Sequence, residues 1–263
     1  MKARIRGTEL AYDVRGSGPA VLLLHAFPLG LAMWDDQVRA LSGAFQVVRF
    51  DARGFGGSPP GDGLLSMERI ADDAVALLDH LQIAAATVCG LSMGGYAAFA
   101  FARNHSARLR GLVLADTKAS ADSDQARRLR AEQADKVRKE GTAAIAEAVI
   151  PKLLGQTTHE QRPPVVARVR DLILANPPRG ITDALAGLAA RADSTPTLRE
   201  IRVPTLVVCG EEDAITPPAE AEALQAGIKG SQLELIPKAG HLANMEVPDA
   251  FNRSLDAFLR KVG

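Results

Sequence analysis

Ser92, Asp213 and His241 have the residue types, and stand in the chain order, needed to cleave an acyl bond by nucleophilic attack. A serine hydroxyl is a poor nucleophile at neutral pH. It needs a histidine to take its proton and a carboxylate to hold that histidine's tautomer and stabilise the imidazolium. Ser92 lies in Gly90-Leu91-Ser92-Met93-Gly94, the pattern G-x-S-x-G, whose glycines let the chain pass through a sharp strand-to-helix turn. The apolar Thr87-Val88-Cys89 before it reads as a strand end, and Tyr96 to Phe101 begins an alanine-rich helix. A glycine-rich turn without chemistry would look the same over five residues, so the elements around it must decide.

Those elements alternate. Ala20 to His25 is a continuous apolar run, the pattern of a strand buried on both faces of a parallel sheet, and Leu109 to Ala115 reads as another buried strand. Residues 45–50 and 205–210 read as further strands, and Gln232 to Ile236 as another. Between them, Met33 to Leu41 and a Ser66-capped segment with Met67, Ile70, Ala74, Leu77, Leu78 and Leu81 have helical spacing. Residues 3–14, alternating loosely, suggest an antiparallel hairpin with one wet face. The whole predicts an α/β fold with a doubly wound, mostly parallel sheet. Asp213 follows the strand ending at Cys209 by four residues, and His241 follows the strand ending at Ile236 by five. All three groups are therefore expected at the strands' carboxyl ends, where ligands bind in open α/β sheets. The order Ser, Asp, His agrees with this.

From residue 120 to residue 196 the strands disappear. A charged helix runs through Lys139, and further helical segments carry Ile145, Val149, Ile150, Leu153 and Leu154; Pro163-Pro164 and Pro177-Pro178 separate them. The expected organisation is a core of residues 1–119 and 197–263 with a small helical cap at 120–196. The charged run from Arg127 to Glu140 reads as a solvated helix face.

Lys plus Arg and Asp plus Glu both number 31, so no overall basic field points to nucleic acid or an anionic membrane. A small molecule is the expected partner. No stretch has the apolar length of a secretory signal or membrane helix, so a cytoplasmic protein is expected. Cys89 and Cys209 read as small core residues at strand ends rather than a disulfide. His80, His105 and His159 lack carboxylate or cysteine partners at metal-ligand spacing, and no metal site is expected.

The segments His25-Ala26-Phe27-Pro28, Asp51-Ala52-Arg53-Gly54-Phe55-Gly56-Gly57-Ser58, Gly90 to Gly95, Gly210 to Asp213 and Gly240-His241 together resemble the α/β-hydrolase fold enzymes along essentially the whole chain. The resemblance implies Ser92 as nucleophile, His241 as general base then acid, and Asp213 as orienting carboxylate. It also implies an oxyanion hole from the backbone N–H groups of Phe27 and Met93. The chain has Ala26 where the family usually has glycine, which keeps the backbone donor. His25 is then an organiser beneath the oxyanion loop and Asp51 part of a structural turn. Glu211, Glu212 and Glu246 are rival acids near Asp213 and His241. The implied reaction is carboxylic ester hydrolysis with no cofactor.

An apolar pocket lined by Ile150, Leu153 and Leu154 would favour small neutral esters. The similarity to 3-oxoadipate enol-lactonases and arylesterases makes a lactonase the alternative. Perhydrolase, carbon-carbon bond hydrolase and a catalytically silent receptor are more distant readings.

Overall fold

The computed structural model describes residues 1–262. Its eight strands form one sheet: β1 (Lys2–Ile5), β2 (Thr8–Arg15), β3 (Ala20–Leu24), β4 (Gln46–Phe50), β5 (Ala86–Leu91), β6 (Leu109–Ala115), β7 (Thr205–Gly210) and β8 (Gln232–Ile236). The spatial order is β1-β2-β4-β3-β5-β6-β7-β8. β1 and β2 pair antiparallel and β2 pairs antiparallel with β4, while β4 through β8 are mutually parallel. Every residue of β3, β5 and β7 is buried, as their unbroken apolar runs require, whereas β8 is an edge strand with mixed exposure.

After β3 the chain moves outward to β4, then returns past β3 to lay down β5 on the other side. The strand order therefore reverses between β3 and β5. A crevice at such a switch point is where open α/β sheets bind ligands, because the connections leave in opposite directions. The loop after β3 carries Phe27 and the turn after β5 carries Ser92, so both flank that crevice.

Among the described residues the α-helices are α1 (Asp35–Leu41), α2 (Met67–His80), α3 (Met93–Asn104), α4 (Asp124–Glu140), α5 (Ala143–Leu153), α6 (Gln156–Gln161), α7 (Pro163–Leu174), α8 (Pro178–Ala190), α9 (Thr195–Leu198), α10 (Pro218–Gly227), α11 (Ala243–Glu246) and α12 (Pro248–Val262). Helix α2 buries Ile70, Ala74, Leu77 and Leu78 on one face, and Ser66 caps it by accepting from the Arg69 N–H at 3.1 Å. Helix α3 is buried from Met93 to Phe101, which its alanines permit by letting it sit close to the sheet.

Helices α4 to α9 fill the interval between β6 and β7, with no strand among them. Pro163 and Pro178 stand in first turns, where a missing N–H costs nothing. No helix among the described residues is long and apolar enough to cross a membrane. Cys89 and Cys209 are free and buried, and burial pushes both thiols above their ordinary range, in keeping with inert core positions.

Candidate active site

Ser92 sits between β5 and α3 with φ at 54°, a region that L-residues other than Asn and Asp rarely enter. Neighbouring backbone holds it there: its N–H donates to Ala115 O at 3.0 Å, and its carbonyl accepts from Tyr96 N–H and from the Thr117 hydroxyl, each at 3.0 Å. The turn tolerates no side chain at its flanks. A Cβ on Gly90 would run into the backbone of Gly94, and one on Gly94 into the carbonyl of Leu24.

The serine hydroxyl is 2.8 Å from His241 Nε2, and His241 Nδ1 is 2.8 Å from Asp213 Oδ2. This network assigns the proton to Nδ1, leaving Nε2 to accept from the serine. Asp213 is fixed in turn by the N–H groups of Ile215 and Thr216 at 2.8 and 3.0 Å on Oδ1, and by the Thr216 hydroxyl at 2.7 Å on Oδ2. Burial works to raise the Asp213 carboxyl, but the charge and hydrogen bond of His241, with the Thr216 donors, hold it below its ordinary value. Asp213 thus stays ionised where an imidazolium would need it.

Phe27, Met93, Ser92 and His241 line a common cavity of about 570 Å³. Among the described residues, neither the Phe27 nor the Met93 amide donates to a protein acceptor, so both are free for a developing oxyanion. His25, beneath this loop, donates from Nδ1 to Ala26 O and accepts at Nε2 from Ala52 N–H, each at 3.0 Å. Burial lowers its pKa, which suits a neutral organiser. Asp51 accepts from Leu31 and Gly57 N–H groups at 2.7 and 2.9 Å and shapes the turn after β4.

The rival acids have other places. Glu211 is exposed, and Glu212 binds the N–H of Thr157 at 2.8 Å and its hydroxyl. Glu246 is buried at 2% exposure and accepts three backbone N–H groups: Gly155 at 2.8 Å, Gly240 at 2.9 Å and Leu242 at 3.1 Å. It grips both residues that flank His241 and ties them to the segment before α6. In the sequence Glu246 stands only as a rival acid, and its six-residue separation from Gly240 gives no sign of the clamp. The Thr216 hydroxyl was also missed, although Asp-x-x-Thr after a strand is a turn in which the carboxylate accepts nearby donors.

Of the three expected pocket residues, Leu153 lines the cavity. Ile150 and Leu154 are buried but lie outside the lining. On α5, the lining side also carries Val149 and Lys152. The cavity is therefore less apolar than that trio suggests, with Lys118 among its walls.

One further group of donors lies deeper: atoms of Asp116, Cys209 and Asp213 fall within 4.8 Å of one another. Asp213 is committed to His241 and Thr216, and the Cys209 thiol is held protonated by burial, so the set suits a packed core better than a cation. His105 meets the single carboxylate of Asp72, on α2, at 2.8 Å.

A family model described as "alpha/beta hydrolase fold" matches residues 19–248. The chain belongs to the α/β-hydrolase fold family. This hydrolase is 31% identical over 243 residues to 3-oxoadipate enol-lactonase 2 of Acinetobacter baylyi, covering 92% of this chain and 89% of the relative. It is similar to a malate-bound thermophilic esterase from Thermogutta terrifontis, with a TM-score of 0.96 and 43% identity over 100% of this chain and 98% of the other. It is also similar to the enol-lactonase of Burkholderia xenovorans LB400, with a TM-score of 0.93 and 34% identity over 99% and 100% of the two chains.

Proposed function

We propose that this hydrolase cleaves carboxylic esters through an acyl-enzyme on Ser92. The observation that carries the reading is the unbroken chain from Ser92 Oγ through His241 to Asp213, each link 2.8 Å, opening into the cavity. His241 Nε2 takes the serine proton as Oγ attacks the carbonyl carbon, and the Phe27 and Met93 N–H groups receive the oxyanion. Collapse expels the alcohol, protonated by His241. Water, deprotonated by the same nitrogen, then attacks the acyl carbon and releases the acid. Each oxyanion donor is worth about 3 kcal/mol in enzymes of this kind.

The helical segment 120–196 serves in this reading as a cap, anchored by Glu246 and Glu212 and supplying Leu153 to the pocket wall. Apart from the substrate and the attacking water, these steps use the chain's own side chains and amides.

Lactone opening by the same steps is the second reading. The named enol-lactonases among the similar proteins favour it, since a lactone is a cyclic ester whose leaving hydroxyl stays tethered. Turnover of nitrophenyl acetate and butyrate, set against an aliphatic lactone and 3-oxoadipate enol-lactone, separates the two. Ester turnover abolished by Ser92→Ala supports the first reading, and a strong lactone preference replaces it with the second. Absence of both activities in folded protein rejects both.

A further inference from the structure

Lys118 stands three residues beyond β6, on a segment pinned at every step. The Asp116 N–H donates to Val208 O at 2.9 Å, and the Thr117 hydroxyl donates to Ser92 O at 3.0 Å. Ala119 O accepts from Ser194 N–H at 2.9 Å, and Ser120 O accepts from Arg191 Nη1 at 2.5 Å. The backbone that bears Lys118 is thus locked to the turn that bears Ser92. Its side chain is half-buried and lines the Ser92–His241 cavity. Among the described residues its ammonium has no ion pair and no hydrogen bond, although the chain has as many acids as bases and pairs many of its cations.

The charges around it do not supply a partner. Asp122, the buried acid of the lining, is already held by Arg130 and, at 2.8 Å, by Arg191, which also stacks 4.1 Å over the Tyr96 ring. Lys136 and Lys152 line the cavity as exposed cations, Lys136 lying 3.9 Å from Glu140, while Glu132 is exposed. A half-buried ammonium without a counter-ion costs free energy that a carboxylate entering the cavity would offset. Phe27, Val149, Leu153 and Leu188 share the walls and suit an aliphatic spacer.

We propose that Lys118 recognises a free carboxylate on the substrate, so that the preferred substrates are half-esters of aliphatic dicarboxylic acids rather than neutral esters. The inference rests on the Ser92 hydrolysis proposed above. It replaces the neutral-ester expectation drawn from Ile150, Leu153 and Leu154 with an anionic substrate class.

The test compares kcat/KM for the monoethyl and diethyl esters of succinic, glutaric and adipic acids, read by ethanol release. At low salt the monoester of at least one acid is preferred by about tenfold or more, mainly through KM, as a charge-assisted hydrogen bond supplies. The preference shrinks as sodium chloride is raised. Lys118→Gln lowers the monoester-to-diester ratio by about tenfold, Lys118→Glu lowers it further, and Lys118→Arg keeps most of it. Lys136→Gln and Lys152→Gln each change the ratio by less than Lys118→Gln does. Melting temperature and fluorophosphonate labelling of Ser92 verify that each variant is folded. Equal or better diester turnover by the native chain, or a ratio unmoved in Lys118→Gln, overturns the inference alone. Failure to label Ser92 or to hydrolyse any ester overturns the underlying reaction instead.

Discussion

Replacing Glu246 by Gln removes a charge and one acceptor while keeping the side chain's shape, and the clamp leaves no room for that change. The carboxylate is buried and receives three backbone N–H groups, from Gly155 on Oε2 and from Gly240 and Leu242 on Oε1. A glutamine amide offers one oxygen. Turned to keep Gly240 and Leu242, it sets its own N–H₂ against the Gly155 N–H, so donors on both sides lose a partner. An unsatisfied buried polar group costs about 1–3 kcal/mol, and the two surviving bonds lose their charge assistance. The expected loss is about 2–4 kcal/mol, which at roughly 2–4 °C per kcal/mol for a chain of this size lowers the melting temperature by about 4–16 °C. Because Gly240 and Leu242 flank His241, kcat should also fall, by up to about 100-fold for a displacement near 1 Å. Thermal melting and nitrophenyl acetate kinetics well below the variant's melting temperature measure both effects. Glu212→Gln, which loosens the contact to Thr157 without touching the His241 flanks, serves as control and should spare kcat more than it spares stability. A Glu246→Gln protein that melts within about 1 °C of the parent, with unchanged kcat, would refute the clamp.

Other substitutions probe the site from different sides. Asp213→Asn should lower kcat by about 10⁴-fold while the protein stays folded, since an amide cannot hold the Nδ1–H tautomer or stabilise the imidazolium; full activity would disqualify Asp213. Thr216→Val removes the hydroxyl at 2.7 Å from Asp213 Oδ2 and should cost roughly fivefold in kcat/KM, corresponding to about 1 kcal/mol, with Ser92 still labelled by a fluorophosphonate. Asp116 tests pH dependence. Burial and the nearby Asp213 charge raise its carboxyl well above the ordinary range; the Gly210 N–H at 2.8 Å opposes this on Oδ1, and Oδ2 has no partner. With its folded pKa above the unfolded one, the native state holds a proton that the unfolded chain has released. Its contribution to stability is therefore present at low pH and lost as pH rises through the raised value. Asp116→Asn keeps an acceptor for Gly210 and removes the titration, so its melting temperature should gain on the parent's as pH rises above the ordinary carboxylate range; a difference that does not change with pH would show that Asp116 holds no extra proton in the native state.

The sheet was legible because β3, β5 and β7 are apolar runs buried along their whole length and β6 departs from that pattern only at the exposed Arg110, and a strand buried on both faces leaves little alternative. Ser92, Asp213 and His241 were legible because each follows a strand end within a few residues, and the topology brings strand ends together. What was hidden depends on contacts between distant segments. Thr117 bonding Ser92, Glu246 reaching Gly155, and Arg191 closing over Tyr96 and Asp122 join positions with no periodic relation in the chain. The pocket trio shows the same boundary. Helical spacing identified Ile150, Leu153 and Leu154 as apolar positions in and just after α5, yet which of them face the cavity follows from how α5 packs on α4 and α7. Lys118 was passed over because a lone lysine in a loop carries no pattern; only its locked backbone and missing counter-ion set it apart.

The most direct test of the acyl-enzyme is intact-mass spectrometry after brief exposure to a fluorophosphonate or a slowly deacylating nitrophenyl ester, followed by peptide mapping. The native chain should gain a single adduct on Ser92, in step with loss of ester turnover for the fluorophosphonate. Folded Ser92→Ala protein should gain none and turn over no ester. An adduct mapped elsewhere, or ester turnover surviving in Ser92→Ala, would contradict the account.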